Sequence, residues 1–300
     1  LSLHDALPIL DKKPFTIVEY GAGTGALCSG ILEYLTNNFA LFENLRYVII
    51  EKSESMRKAQ EKRFSNKVEW HNSIEEAGRV NGCILSNEVP DNFAVHKVVM
   101  KEELMEVFVD HEKDFFEVLK PADEKLKNYF LEQQIVLPKN YTTEINLQAI
   151  EWIKEIAENL YRGFVFTIDY GFAAADLYNE KRNAGTLICY RGHEINTDVY
   201  SAIGLQDITA HVNFSALSHW GKKFGLECIG FSTQANFLRS MGLMNYLREL
   251  EKQDSVESKN SISQINKLMM SMGNKFKLLV QKKEVSQKFL TGLQFANPCP

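Results

Sequence analysis

The 300-residue sequence is 45% hydrophobic and 24% charged, and its formal net charge is −5. This composition is ordinary for a soluble globular protein, and the acidic balance excludes the general basic surface of a typical nucleic-acid-binding protein. No apolar run reaches the roughly 18 residues of a membrane-spanning helix. The five cysteines are odd in number and include no C-x-x-C pair. We therefore expect neither a metal site nor a disulfide framework, which indicates a reducing compartment.

The chain begins at Leu1 without a methionine, and residues 1–9 have no clear place in any predicted element. We expect residues 1–14 to be an incomplete or non-native N-terminal segment. Residues 15–300 are expected to form the folded domain.

A strand, a glycine-rich turn and a helix are predicted at the start of this domain. Residues 15–18 are a β-rich apolar run, Gly21, Gly23 and Gly25 follow, and residues 26–35 carry leucine and isoleucine at helical spacing. Glycines permit positive φ and let a ligand approach the backbone. The start of the helix offers unpaired N–H groups to a polar ligand. The pattern predicts a nucleotide-type ligand.

Two cofactors fit this turn. It matches the G-x-G-x-x-A form of the dinucleotide fingerprint, and it matches the E-x-G-x-G-x-G loop of S-adenosylmethionine (SAM) methyltransferases, with Glu19 as the acid. A pyrophosphate disfavours a neighbouring carboxylate, whereas the sulfonium and α-ammonium groups of SAM favour one. Glu19 therefore favours SAM, and a tight turn without a ligand is the alternative.

Three more buried strands are predicted, and each is followed by polar side chains. Ligands of open α/β sheets lie beyond the carboxyl ends of the strands, so these side chains are expected to converge with the glycine turn on one crevice. In that crevice an acid would bind the ribose and an asparagine would flank the adenine. The strands and the polar residues at their ends are 45–51 with Glu51, 67–71 with Asn72, and 82–86 with Asn87, Glu88 and Asp91.

The middle of the chain changes character. Residues 95–119 alternate like three antiparallel strands around a turn at 110–114, which predicts a meander inserted into the sheet. A polar helix is expected at 123–132. Residues 143–160 are predicted to form a well-marked amphipathic helix, and the core strand predicted at 163–168 ends in Asp169.

The last third is predicted as short elements. Polar loops around short strands are expected at 185–193 and 204–214, and the second contains Asp207 and His211, four residues apart. The remaining predictions are a helix at 215–224 capped by Ser215, a strand at 226–231, helices at 233–243 and 244–251, a linker at 252–261, a helix at 262–272 and an antiparallel last strand at 276–282.

Seven stretches occur in the order seen in the MidA-like SAM-dependent methyltransferases, and the chain resembles that family from about residue 15 to about residue 280. The stretch at 206–214 is far more specific than the glycine loop. The family includes the mitochondrial arginine methyltransferase that assists assembly of respiratory complex I. The stretches are residues 19–25, 86–96, 143–146, 169–171, 185–190, 206–214 and 233–238.

The resemblance implies an α/β, Rossmann-like methyltransferase core with a mostly parallel sheet and an antiparallel last strand. Insertions at about 95–142 and 172–275 would cover the substrate. The implied cofactor is SAM, and the implied partner is an arginine-containing protein such as a complex I subunit, in bacterial cytoplasm or the mitochondrial matrix. Two departures stand out. The segment that precedes the first strand in the family is missing or replaced, and residues 90 and 92–94 differ from the family, whereas Asp91 and His96 match.

Arginine is permanently charged, so its methylation needs carboxylates that hold the guanidinium. Glu88 and Asp91 are predicted to do this, with helix capping as the alternative for Asp91. Asp169 is a further candidate acid or a buried structural carboxylate. Asp207 and His211 line the substrate channel or form a structural hydrogen-bonded pair. The predicted cofactor residues are Glu19, Gly21, Gly23, Gly25, Glu51, Asn72 and Asn87.

Other functions stay open at this level. In one alternative, the protein methylates a small molecule or a side chain other than arginine. In another, the protein is a non-catalytic assembly factor or chaperone that retains the SAM fold. An NAD-dependent oxidoreductase is a third alternative, which Glu19 disfavours.

Overall fold

The computed structural model describes residues 15–36, 42–64, 67–192, 194–287 and 289–300, so the predicted segment 1–14 lies outside the described residues. The strands in these ranges are β1 (Phe15–Tyr20), β2 (Leu45–Ile50), β3 (Val68–His71), β4 (Val80–Asn87), β5 (His96–Met100), β6 (Leu104–His111), β7 (Phe115–Pro121), β8 (Thr142–Ile145), β9 (Leu160–Phe172), β10 (Ile188–Arg191), β11 (Glu194–Asn196), β12 (Asp207–Thr209), β13 (Val212–Asn213), β14 (Glu227–Thr233) and β15 (Phe276–Lys283).

The helices in the same ranges are α1 (Ala26–Thr36), α2 (Glu54–Arg63), α3 (Ile74–Ala77), α4 (Glu124–Glu132), α5 (Leu147–Asn159), α6 (Ala174–Leu177), α7 (Phe214–Lys223), α8 (Gln234–Ser240), α9 (Leu243–Gln253) and α10 (Val256–Lys267). Short 3-10 turns lie at Pro90–Asn92, Glu180–Arg182 and Thr291–Leu293, and a π turn at Leu268–Met272 follows α10. Where the structure describes the chain, none of its helices has both the length and the apolar character needed to cross a bilayer.

The chain divides into two units. The first unit contains the described residues of Leu1–Val89, Ile153–Asp169 and Gly221–Cys299, and the second unit contains Pro90–Trp152 and Tyr170–Trp220. The strand β9 begins in the first unit and ends in the second.

The first unit is built on a sheet with strand order β14-β15-β9-β4-β1-β2-β3. Strand β1 pairs in parallel with β2 and β4, β2 with β3, and β4 with β9, whereas β14 and β15 are antiparallel. Every residue of β1 is buried, as expected for a central parallel strand that is covered on both faces. The predicted mostly parallel α/β sheet with an antiparallel last strand is confirmed.

One face of this sheet carries a large apolar core. Ile17, Ile49, Phe164 and Phe166 pack there, and α1 contributes the fully buried Cys28. Burial of such side chains stabilises a fold by roughly 1.5–3 kcal/mol each. This packing holds the strand ends, and therefore the turns that follow them, in fixed positions.

The second unit contains two smaller sheets. A four-stranded antiparallel sheet has the order β7-β6-β5-β8, and a three-stranded sheet has the order β11-β10-β12. Strand β13 pairs in parallel with the end of β9 at Gly171–Phe172. The predicted antiparallel meander is confirmed as β5, β6 and β7, but its insertion into the main sheet is wrong, because these strands form a separate sheet with β8.

The predicted helix at 143–160 begins later than expected. Thr143 and Glu144 belong to β8, which pairs with β5, and the buried Glu144 carboxylate accepts hydrogen bonds from the Thr186 N–H and hydroxyl. The helix α5 starts at Leu147, where the Asn146 side chain accepts from the Ala149 N–H at 2.8 Å. Strand pairing therefore overrides helical periodicity at residues 143–145.

Two further predictions of local structure are wrong. The Ser215 hydroxyl accepts from the Ala174 N–H, and the cap of α7 is Asn213, whose side chain accepts from Ala216 N at 3.1 Å. Much of the predicted linker at 252–261 is helical, because Ser255 and Ser258 form a reciprocal capping box that starts α10.

The expectation that the cysteines do not pair is also wrong. Cys228 in β14 forms a disulfide with Cys299, and their Cα atoms lie 6.1 Å apart. The C-terminal segment also pairs with β14 through Phe231 and Asn297. Seventy-one residues separate the two cysteines, so no local spacing motif reveals the pair, and the inference of a reducing compartment loses its basis.

We expect Phe164→Ala to lower the free energy of unfolding by about 3–5 kcal/mol, because it opens a cavity under the sheet. Phe164 is fully buried, whereas Tyr161 on the same strand is half exposed and lies against the Arg79 guanidinium. Tyr161→Ala is the matched control and should cost no more than about 1 kcal/mol. Urea denaturation measures both values, and equal losses would contradict this account of the core.

Candidate active site

The predicted polar residues of the first unit lie at one edge of its sheet. The strands β1, β2 and β3 end in register at Tyr20, Ile50 and His71. The backbone ladder continues one residue further, because Gly21 N donates to Ile50 O at 3.0 Å and Glu51 N donates to His71 O at 3.1 Å. Asn87 of β4 is in register with Ile168 of β9, and Glu88 N donates to Ile168 O at 2.9 Å. The structure thus brings the glycine turn, Glu51, Asn72, Asn87 and Glu88 to the carboxyl ends of adjacent strands. Asp169 is predicted at a strand end, but β9 continues to Phe172, so Asp169 lies inside the strand.

The glycine turn needs its glycines for two different reasons. Gly21, Gly23 and Gly25 have φ values of +59°, +52° and +75°, which residues with a side chain rarely adopt. A Cβ at Gly25 would lie 2.3 Å from the ring of Phe64, so this position is filled by the protein itself. A Cβ at Gly23 would meet no atom within 4 Å. The turn therefore presents open space at Gly23, which fits a ligand that approaches the backbone.

A buried glutamine joins the glycine turn to the acid at the end of β2. Gln60 of α2 donates from Nε2 to Gly23 O at 2.8 Å and to the Glu51 carboxylate at 3.2 Å. Trp70 Nε1 donates to Gln60 Oε1 at 3.0 Å and fixes the orientation of the amide. The other Glu51 oxygen accepts from Ser53 N at 2.9 Å. Both carboxylate oxygens of Glu51 are thus held in place beside the turn.

Sequence reasoning missed Gln60. A signal was present, because Gln60 follows Met56 by four residues and therefore lies on the inward face of α2. A fully buried polar side chain on an apolar face needs partners, and here the partners are the glycine turn and Glu51.

Glu19 lies below the edge of the sheet. It is buried, and its carboxyl accepts a hydrogen bond of 2.5 Å from the hydroxyl of Tyr47. Burial raises the pKa of Glu19, and the hydrogen bond from Tyr47 opposes this change. The Glu19 side chain is therefore turned toward β2 and is not presented as a surface carboxylate.

The other residues of this edge differ in exposure. Asn72 is exposed, and its N–H donates to the Glu76 carboxylate at 3.0 Å. The Asn87 amide donates to Glu88 at 3.1 Å. Glu88 is exposed and has a φ of +52°. Asp169 is fully buried.

Asp91 belongs to the second unit. It lies in the 3-10 turn Pro90–Asn92, is buried, and accepts at Oδ1 from the Asn92 amide at 2.8 Å. Its backbone oxygen accepts from Ala210 N at 3.2 Å, and the carbonyl of Pro90 accepts from the Asn146 amide at 2.9 Å. These bonds hold the Asp91 turn against the segment that leads into His211.

The predicted pairing of Asp207 with His211 does not occur. Asp207 is exposed at the start of β12 opposite Tyr190, and four residues of extended chain span about 13 Å. The His211 ring instead packs against Tyr170 and Phe172, each with centroids 5.3 Å away.

His211 is held as a neutral imidazole. Its Nδ1 is buried without a hydrogen-bond partner among the described residues. Burial, and then the positive charge of Arg182, lower the pKa of His211 to about 4. The guanidinium of Arg182 lies 3.8 Å from the centroid of the Phe172 ring. This arrangement offers an uncharged acceptor in an aromatic environment.

The ranges that the structure describes contain no cluster of three or more His, Cys, Asp or Glu side chains that could hold a metal ion.

The sequence model of a family of S-adenosyl-L-methionine-dependent methyltransferases matches residues 3–232. This match covers more than half of the chain, and the chain belongs to this family. The predicted SAM cofactor is confirmed, and the dinucleotide alternative is wrong.

Curated relatives carry a more particular name. The chain is 24% identical, over 304 aligned residues, to a Drosophila melanogaster protein named protein arginine methyltransferase NDUFAF7 homolog, mitochondrial, covering 89% of this chain and 67% of that protein. It is 27% identical over 195 residues to the Danio rerio protein arginine methyltransferase NDUFAF7, mitochondrial, covering 60% of this chain and 42% of that protein. These relatives confirm the predicted resemblance to the MidA-like methyltransferases.

Two crystal structures from Burkholderia thailandensis are similar along nearly the whole chain. One, of an uncharacterized superfamily protein, has a TM-score of 0.85 at 27% identity and covers 98% of this chain and 81% of that one. The other, a member of the same superfamily bound to S-adenosyl-homocysteine, has a TM-score of 0.82 at 26% identity and covers 98% of this chain and 78% of that one. S-adenosyl-homocysteine is the product that SAM leaves after methyl transfer, which agrees with the cofactor of the family.

We expect Gln60→Ala to weaken SAM binding about tenfold or more, because it frees both the glycine turn and Glu51 and leaves Trp70 Nε1 without its acceptor. Calorimetric titration with SAM measures the change. Lys58→Ala is the matched control on the same helix, since Lys58 is exposed and pairs only with Glu54 across one turn. Equal affinities for wild type and Gln60→Ala would show that the glutamine does not organise the site.

The depressed pKa of His211 predicts an acid-dependent loss of stability. The unfolded chain binds a proton at His211 below about pH 6.5, whereas the folded chain does so only below about pH 4. Stability therefore falls as the pH drops through this window, by up to about 3 kcal/mol. His211→Gln should lose less stability between pH 6.5 and 4 in urea denaturation. An unchanged pH slope in the variant would contradict a buried neutral His211.

Proposed function

We propose that this methyltransferase transfers the methyl group of SAM to the guanidinium of a protein arginine. The observation that supports this choice most directly is Glu88, an exposed carboxylate at the end of β4 with a φ of +52°. A residue with a side chain in this conformation costs about 1–3 kcal/mol, and such strain clusters at functional sites. The strain presents an acid at the strand edge where the glycine turn lies.

The chemistry of arginine explains why a carboxylate is needed. A guanidinium stays charged at any physiological pH and spreads its charge over three nitrogens. A carboxylate that accepts two of its N–H groups fixes the plane of the group and directs the remaining nitrogen. When bound, SAM supplies a methyl group activated by the positive sulfur. The protein's residues have to orient the two partners in line and exclude water.

We assign the cofactor to the glycine-turn edge of the first unit. Gly21, Gly23 and Gly25 would let SAM approach the backbone, and Glu51 would accept from the ribose hydroxyl groups. Asn72 and Asn87 would flank the adenine and the amino acid part. Glu19 would act through the Tyr47 hydrogen bond and the shape of the turn, since its carboxyl is buried.

We assign the substrate to the remaining acids. In the first unit, Glu88 would accept from the guanidinium, and Asp169 would supply further negative charge. In the second unit, Asp91 would be a further acid for the substrate, and Asp207 and His211 would line its path, with His211 as a neutral acceptor. Asp91 lies in the 3-10 turn Pro90–Asn92, and capping is the alternative to this role.

The names of the two curated relatives support a finer proposal, that the protein substrate is a subunit of respiratory complex I. The same names contain the word mitochondrial, which favours the mitochondrial matrix over bacterial cytoplasm. This chain spans only part of both relatives, and for that reason the partner and the compartment are parts of the proposal.

The proposal is tested with SAM carrying an isotopically labelled methyl group and a soluble extract of mitochondrial proteins. We expect mass spectrometry to find labelled methylarginine. Glu88→Gln should lower methyl transfer roughly a hundredfold and leave SAM binding unchanged. Gly23→Arg should abolish SAM binding, because its side chain fills the open space over the turn.

Glu54→Gln is the matched control, since Glu54 is an exposed acid of α2 whose partner is Lys58. Labelled lysine or a labelled small molecule in place of arginine would contradict the proposed nucleophile. SAM binding without transfer to any protein would indicate an assembly factor that keeps the fold without the reaction.

A further inference from the structure

The hairpin of β6 and β7 leaves large apolar side chains exposed. Phe108, Val109, Phe115, Phe116 and Leu119 expose 39–52% of their surface. The pairing of Val107 with Leu119 and of His111 with Phe115 places Val109, Phe115 and Leu119 on the same face of the hairpin. A hairpin that only covered a core would bury one face and keep polar residues on the other. Apolar groups clustered on an exposed hairpin face mark an interaction site.

Tyr200 extends this face beyond the hairpin. Its ring stacks on Phe115 with centroids 6.3 Å apart, and its hydroxyl donates to the Glu117 carboxylate at 2.8 Å. The turn that follows Tyr200 carries Ile203 and Leu205, which expose 59% and 69% of their surface. We call Val109, Phe115, Leu119, Tyr200, Ile203 and Leu205 the docking face.

The docking face lies in a strongly acidic unit. Pro90–Trp152 and Tyr170–Trp220 contain eighteen Asp and Glu against ten Lys and Arg, a formal net charge of minus eight. The formal net charge of the whole chain is −5, so the residues outside this unit carry a net charge of plus three. Glu112 and Asp114 lie in the exposed tip of the hairpin, and Asp198 lies two residues before Tyr200. These three acids thus lie close in sequence to the apolar side chains of the docking face.

We infer that the docking face binds a segment of a protein partner that is rich in arginine and lysine and carries apolar side chains between them. Apolar contacts on Phe115, Leu119 and Leu205 would supply affinity, and the acids close to them in sequence would attract the basic residues. The chemistry of the face selects against other partners. Nucleic acid and anionic membrane surfaces carry the same sign of charge as this unit. A second copy that used the same face would oppose acid to acid.

This inference rests on the proposed function only for the identity of the partner as the methylated protein. The docking face is separate in sequence from the glycine turn and from Glu88. Binding at the face and methyl transfer are therefore measured independently.

The test uses the full chain and a short fluorescein-labelled peptide in which arginine alternates with valine. A matched peptide carries citrulline, which is uncharged, in place of arginine. We expect fluorescence anisotropy to show binding of the arginine peptide, binding at least about tenfold weaker for the citrulline peptide, and a marked loss of affinity at high salt.

Two double variants test the apolar residues of the docking face and the acids near it separately. Leu119→Thr with Leu205→Ser removes one apolar contact from the hairpin and one from the turn, and Glu112→Lys with Asp114→Lys reverses charge at the tip. Each should weaken the arginine peptide about tenfold or more and leave calorimetric SAM binding unchanged. Met270→Thr is the matched control, because Met270 is 84% exposed in the first unit, and it should bind the peptide like wild type.

Wild-type affinity in both double variants would overturn the inference, as would equal binding of the arginine and citrulline peptides. Self-association of the wild type in sedimentation velocity that the Leu119→Thr/Leu205→Ser variant abolishes would assign the face to a second copy and also overturn it. Peptide binding that depends on the face, together with no methylarginine in any extract, would support the docking face and contradict the proposed function.

Discussion

The structure depends on the parallel pairing of β1 with β2 and β4. A parallel sheet covered on both faces buries mostly apolar side chains along its strands, so most exposed polar groups lie at the strand ends. Because parallel strands run in the same direction, these ends lie along one edge. The burial of β1 stabilises the fold and also fixes its pairing with β2. This pairing places Gly21, which follows β1, next to Glu51, which follows β2.

Gln60 adds a second constraint at this edge. The glycine turn has positive φ at three positions, and the glycines there have no side chains that could hold its shape. The bond from Gln60 to the carbonyl of Gly23 supplies that support, and the bond to Glu51 links it to the next strand. A change that loosens α2 would thus be felt at the turn and at Glu51 together. This coupling explains why a polar residue is buried on the inner face of an otherwise ordinary amphipathic helix.

Local patterns in the sequence were sufficient to predict most of this architecture. The glycine turn, the order of strands and acids, and the meander follow from periodicity and from the rule that ligands lie at the carboxyl ends of strands. The errors fall where long-range contacts decide. Residues 143–145 have helical periodicity but pair with β5. Cys228 forms its disulfide with Cys299, which is distant in sequence. The role of Gln60 depends on its contacts with Gly23 and Trp70. His211 could be chosen from the sequence, but its aromatic surroundings and neutral state required the fold.

The two units differ in what their charges can do. The first unit holds Glu51 at its edge in a position that two hydrogen bonds define. The second unit is acidic overall, which attracts cations without specifying their identity. A protonated histidine in such a unit would repel the same cations. Burial and the neighbouring Arg182 keep His211 neutral at physiological pH, so it can accept a hydrogen bond without reducing the attraction. Under the proposed function, a neutral His211 in an acidic unit would favour the approach of a guanidinium.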